Sequence, residues 1–211
     1  MGKRQSALQL ELQRAGFVLA HPQSKPGGPR TGHLPREVAA AINHLAASFG
    51  AAPGARFAPG AWDIALAGGL LVELDEQSHF NRYRTATLNL PWSPFLPWHG
   101  PYSRYCPAFE YRALAHGGYW ANRSSTIMFG GADRPGVFGY FGSPRWKQRA
   151  VYDAIKDAWA LSMPGYTLTR LSIYDTVGGV LLDDALEGRA ALDPAALRHH
   201  VESRVAGRQP A

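Results

Sequence analysis

Asp63 is followed ten residues later by Glu73, and Asp75 comes two residues after that. Acids at this spacing can hold a hard divalent cation, which takes oxygen ligands and keeps several waters. A cation so held acidifies water and screens the charge that develops on a phosphate. Gln77, His79, Asn81, Arg82 and Arg84 follow at once. They supply donors and cations suited to holding a phosphodiester. A histidine titrates near neutrality, so His79 is a candidate general base or phosphate contact. Lys147, Gln148 and Arg149 form a second polar group at the start of an apolar-periodic stretch. A helix beginning there turns its positive end toward an anion. The chemistry implied is metal-assisted phosphodiester hydrolysis.

The acids need a scaffold that turns them to one side. Asp63 to Leu66 and Leu70 to Asp75 read as two strands joined by Ala67-Gly68-Gly69. With a three-residue loop, Asp63 faces Glu73, Ala65 faces Leu71 and Leu66 faces Leu70. Side chains alternate along a strand. One face then gathers Ile64, Leu66, Leu70, Val72 and Leu74, and the other gathers Asp63, Glu73 and Asp75. A two-residue loop mixes the faces, and a buried face fixes register strongly. Gly68 or Gly69 supplies the left-handed residue that such a loop requires.

Around this hairpin, residues 5–15 and 36–49 read as helices, the second with Val38, Ile42, Leu45 and Phe49 at helical spacing. Residues 20–34 read as loop and 77–88 as a short helix. Residues 89–144 are rich in Pro, Gly and aromatic residues, and read as a long functional insertion with short strands around Ser125 to Phe129. Residues 145–161 predict a strong helix, introduced by Ser143-Pro144 as cap and first turn. Tyr166 to Tyr174 predicts a strand, and a weak helix follows from about 184 into a polar tail. The expected organisation is one domain over 1–211. It comprises a helical part (1–50), the hairpin with its following helix (56–88), the insertion (89–144), a helix and closing strand (145–183) and the tail (184–211).

Asp63…Glu73-Leu74-Asp75 resembles the motif of the PD-(D/E)XK, restriction-endonuclease-like nucleases. Glu73 to Phe80, followed by Arg82 and Arg84, is similar to a segment of small very-short-patch-repair-like endonucleases. The resemblance covers roughly 56–88 and 145–175. It implies an α/β fold with a mixed central sheet flanked by helices, and metal-dependent cleavage of nucleic acid, expected to be DNA. Asp63, Glu73 and Asp75 would bind Mg²⁺ or Mn²⁺, and His79 and Lys147 would join them in catalysis. Gln77, Arg82, Arg84, Gln148 and Arg149 would hold phosphate. Three features depart from the family. Asp75 stands where it has lysine, which leaves the general base open; Glu76 stands where glycine is usual; and the structural zinc ligands are absent.

Composition narrows the alternatives. The chain has 211 residues and a net charge of +6, compatible with a nucleic-acid partner. A single cysteine, Cys106, excludes an intrachain disulfide and a cysteine-based zinc site. No stretch has the length of a membrane span. Met1 to Ser6 matches a loose myristoylation pattern with nothing beside it to support an anchor. The expectation is a cytoplasmic protein without a membrane partner, compatible with a homodimer. A glycosidase needs two acids on separate walls of a groove, and adjacent strands bring these too close. The rival reading is a catalytically inactive nucleic-acid-binding module of the same fold.

Overall fold

The structure is a computed structural model that describes residues 2–115 and 120–207. Met1, Tyr119 among the insertion's aromatic residues, and residues 208–211 of the tail lie outside the described residues. The chain forms two units, each discontinuous in sequence. The first comprises Met1–Gly28, Ala61–Glu76 and Ala160–Ala211, the second Pro29–Gly60 and Gln77–Trp159.

The first unit is a mixed α/β layer. Its strands are β1 (Ile64–Ala65), β2 (Leu70–Asp75), β3 (Thr167–Ser172) and a terminal β6 (Ala206–Gly207), in the order β1-β2-β3-β6. β1 and β2 are antiparallel, β2 and β3 parallel, and β3 and β6 antiparallel. Leu19 bridges to Leu66 on the outer side of β1. The parallel pair requires a long crossover, and residues 76–166 supply it.

The hairpin register is the expected one: Ile64 pairs with Val72, Ala65 with Leu71, and the Leu66 N–H donates to the Leu70 carbonyl. The turn is Ala67–Gly69, with Gly68 and Gly69 both at positive φ. Three helices, α1 (Lys3–Arg14), α7 (Leu182–Leu186) and α8 (Pro194–Ser203), flank this sheet. Leu8 and Leu12 of α1 and Leu197 and Val201 of α8 are fully buried. α1 packs on α7 and α8. Thr169 of β3 donates to the Val201 carbonyl, so α8 covers the apolar face. A small hairpin of β4 (Thr176–Val177) and β5 (Val180–Leu181) precedes α7.

The second unit is helical: α2 (Arg36–Ser48), α3 (Arg82–Thr87), α4 (His99–Leu114), α5 (Arg123–Phe129) and most of α6 (Pro144–Ser162). α4 and α5 correct the sequence reading of 89–144, and α5 replaces the short strands expected at Ser125 to Phe129. α4 buries Tyr102, Cys106 and Ala113 along one side despite Pro107 in its interior. Proline removes a donor and crowds the preceding turn, which hides such a helix from a propensity argument. Pro101 costs little, since first-turn N–H groups have no intrahelical partner. α5 is fixed by a capping box between Asn122 and Ser125. Trp120 and Trp146 meet at 4.9 Å between ring centroids, with Phe138 against both. No helix among the described residues is long and apolar enough to cross a membrane.

Candidate functional site

On the first unit's sheet the alternation along β2 puts Glu73 and Asp75 on one face, and Asp63, in the bend just before β1, reaches the edge of β2 with its carboxylate. The parallel register adds Arg170 beside Glu73 and Ser172 beside Asp75. Glu73 and Asp75 are buried, at 4% and 0% exposure. Asp63 and Glu73 are tied to each other's strands. The Asp63 N–H donates to Glu73 Oε1 at 3.1 Å, and the Leu74 N–H donates to Asp63 Oδ2 at 2.9 Å. A hydrogen bond to a charged acceptor is stronger than a neutral one, so these bonds hold both carboxylates at the hairpin's open end. Gln5 of α1 closes the arrangement from the side by donating to the Asp63 carbonyl.

Asp75 has a different partner. Arg170 Nη1 lies 2.8 and 3.0 Å from its two carboxylate oxygens, and neither side chain is exposed beyond 1%. A lysine-like cation is therefore present on the acid face, but it comes from the neighbouring strand. The same unit holds a second buried polar knot. Asp175 accepts from the Ser172 N–H and from Arg204, and His200 stands 3.4 Å away. That knot ties the end of β3 to α8, which gives His200 a structural place.

In the second unit, the turn Gln77–His79 precedes α3. His79 Nδ1 lies 2.9 Å from Asp153 Oδ2 on α6, and Arg149 donates to the Ser78 hydroxyl. Asn81 caps α3 by accepting from Tyr83 and Arg84. Arg84, 1% exposed, is paired with Asp157 at 2.9 Å and bonded to Thr87. Arg82 makes three bonds to Glu110, one from its backbone N–H and two from its guanidinium, which lies 3.5 Å over the Phe138 ring. Hydrogen bonding to Glu110, opposed by burial, raises the Arg82 pKa. Gln148 donates to Ser124, Met128 and Tyr152. Ser143 Oγ accepts from the Trp146 N–H, which is the expected cap of α6. Lys147 lies at 8% exposure against Tyr83, its ammonium 5.8 Å from the ring centroid. Burial lowers its pKa, partly offset by the charge of Asp133.

Residues 44–188 match a family described as one of unknown function, DUF7255. The chain belongs to that family. No curated protein and no solved structure matches it. The match takes in β1, β2, β3 and α3 to α7, and leaves out α1, α8 and β6. Every residue that the sequence singled out for chemistry lies inside the DUF7255 stretch.

Two charged residues of that stretch were missed by sequence reasoning. Arg170 stands in a strand read from its apolar positions, although a cation between Leu168 and Leu171 is itself a signal of a polar face. Asp153 was hidden inside the helix of 145–161, on a turn that carries Arg149 and Asp157 four residues to either side. Arg82 and Arg84, expected to hold phosphate, have carboxylate partners in Glu110 and Asp157.

Proposed function

We propose that the acid face of the first unit is the centre of a metal-dependent nuclease acting on DNA. The observation that supports this reading is the pair of hydrogen bonds between Asp63 and β2, which brings its carboxylate to the strand that carries Glu73 and Asp75. The donor set suits the ion. Both acids offer hard carboxylate oxygens, and Asp63 Oδ1 makes no hydrogen bond among the described residues. Asp63 and Glu73 would hold Mg²⁺ or Mn²⁺, which when bound would supply Lewis-acid screening and an acidified water. Asp75 is held by the Arg170 guanidinium, which spans its two carboxylate oxygens. Its role is to fix Arg170 on the acid face. Arg170, wholly buried, positions Asp75 and does not reach a phosphate. The net charge of +6 agrees with a polyanionic substrate.

One observation favours a second reading, a non-catalytic nucleic-acid-binding module. Each hairpin acid already satisfies a backbone donor or a buried guanidinium, which is structural work enough to retain it. Incubation with supercoiled plasmid and single-stranded DNA, in Mg²⁺, Mn²⁺ or EDTA, separates the two. Cleavage in either metal and none in EDTA is the expected result. DNA binding of equal strength with and without chelator, and no cleavage in any condition, establishes the module instead.

A further inference from the structure

The second unit contains a cleft of 550 Å³ between α2, α3 and the start of α6. Phe49, Tyr83, Phe138 and Phe141 line it, and Lys147 lies in its wall. Small-molecule sites fall in this size range and share this mixture of rings with few polar groups.

Lys147 sets the chemistry. The residue is 8% exposed, and among the described residues its ammonium makes no hydrogen bond or ion pair. Asp133 is near enough to favour the charge electrostatically, but its Oδ2 accepts the Gly142 N–H. The ammonium is not among the fully buried atoms and opens on the cleft, where a bound anion would give it an acceptor. The helix amides at this corner are already used. The Arg145 N–H donates to the Trp120 carbonyl, Trp146 to Ser143 Oγ and Lys147 to the Ser143 carbonyl. Arg82 is committed to Glu110. The anion therefore falls to Lys147, with the Tyr83 hydroxyl beside it.

The walls define the rest of the ligand. Phe49 and Tyr83 meet edge-on at 5.3 Å, and Tyr83 and Phe138 at 6.2 Å. Phe141 is 44% exposed and Tyr140 92% exposed at the rim. Glycines let the backbone come close: a Cβ at Gly142 would strike the Tyr83 hydroxyl, and one at Gly131 would touch the Phe141 ring. Aromatic side chains stack on the π-face of any base.

We infer that this cleft binds a nucleotide unit, its phosphate on Lys147 and its base against the aromatic wall. The unit is either a free nucleotide or one residue of a single strand. This inference uses no residue of the acid face and no metal, so it stands or falls apart from the nuclease reading.

The test is calorimetric titration in EDTA with thymidine 5′-monophosphate, thymidine, inorganic phosphate and a dT decamer. The monophosphate or the decamer should bind at least tenfold more tightly than thymidine or phosphate. Lys147→Met and, separately, Phe141→Ala should each weaken that binding about tenfold while the melting transition stays cooperative. The tighter ligand should also protect Lys147 from acetylation, read by mass spectrometry. Tighter binding of the monophosphate assigns a free nucleotide, and tighter binding of the decamer assigns a strand. Binding unchanged in both variants, or Lys147 equally reactive with and without ligand, overturns the inference.

Discussion

At the level of single residues, the acid face makes two separable predictions. Glu73→Gln keeps the side chain's size but removes a charge that a divalent ion would need. Cleavage should fall by at least about a hundredfold, the scale of losing one catalytic electrostatic group. The apo protein should melt at the same temperature or higher, because clustered like charges repel. A nicking assay and a thermal scan on the same sample check both, and wild-type cleavage by the variant would remove the metal from this hairpin. Arg170→Met leaves Asp75 buried without its guanidinium, and breaking a buried pair costs about 3–5 kcal/mol. Asp75→Asn should cost a similar amount, and the double variant less than the sum of the two. Urea titration of the four proteins measures the coupling, and simple additivity would mean the pair is not a unit. The acids were legible in the sequence because alternation and a Gly-Gly turn are local. The Arg170–Asp75 contact joins residues 95 apart in the chain, and no local pattern announces such a contact.

At the level of elements, legibility followed the same division. The hairpin register, α2 and α6 could be read because each has an unbroken apolar period bounded by glycine, serine or proline, and β3 because Leu168, Leu171 and Ile173 follow the turn at Gly165. α4 could not, since Pro107 interrupts it and its buried face is built from Tyr102 and Cys106 among other aromatic residues. α5 is only seven residues long and depends on its cap. Asn122→Ala should therefore destabilise the protein by about 1 kcal/mol, the usual worth of an N-cap side chain. A denaturant midpoint indistinguishable from wild type would mean that packing alone holds α5. The hairpin turn offers a sharper comparison between adjacent glycines. Gly68 is at φ 78 with open space where a Cβ would stand, so Gly68→Ala should cost about 1–2 kcal/mol of left-handed strain alone. Gly69 is at φ 83, and a Cβ there would run into the Gly165 carbonyl oxygen. Gly69→Ala adds a steric clash to the same strain and should be the more damaging by urea midpoint. Equal effects would show that the turn relaxes freely, and the register argument would lose its anchor.

At the level of the whole molecule, the distribution of charge makes stability depend on pH at both ends of the scale. On the acid side, burial alone would raise the Glu110 carboxyl. The hydrogen bonds and charge of Arg82 outweigh that and hold it below the ordinary value of 4.5. A carboxyl whose folded pKa is depressed contributes stability that is complete above its unfolded value and is lost as pH falls through the folded one. The pair is partly exposed, so its worth at neutral pH is no more than about 1 kcal/mol. On the basic side, burial lowers Lys147 below its ordinary 10.5, with Asp133 offsetting part of the shift. The folded protein releases that proton first, so stability rises as pH climbs from the folded value toward the unfolded one. Below the folded value the full cost of the partly desolvated ammonium remains. Glu110→Gln should therefore be less stable than wild type at pH 7, and the gap should close as pH falls below 4.5 and through the folded value. Lys147→Met should be more stable at pH 7 and lose that advantage above pH 10.5. Urea midpoints of the three proteins across this range decide the matter. For Glu110, a gap that stays constant as far into acid as the protein remains folded would show that the residue acts through packing. For Lys147, a constant gap up to high pH would mean that its ammonium carries no folding cost, and with it would go the physical reason for expecting an anion in the aromatic cleft.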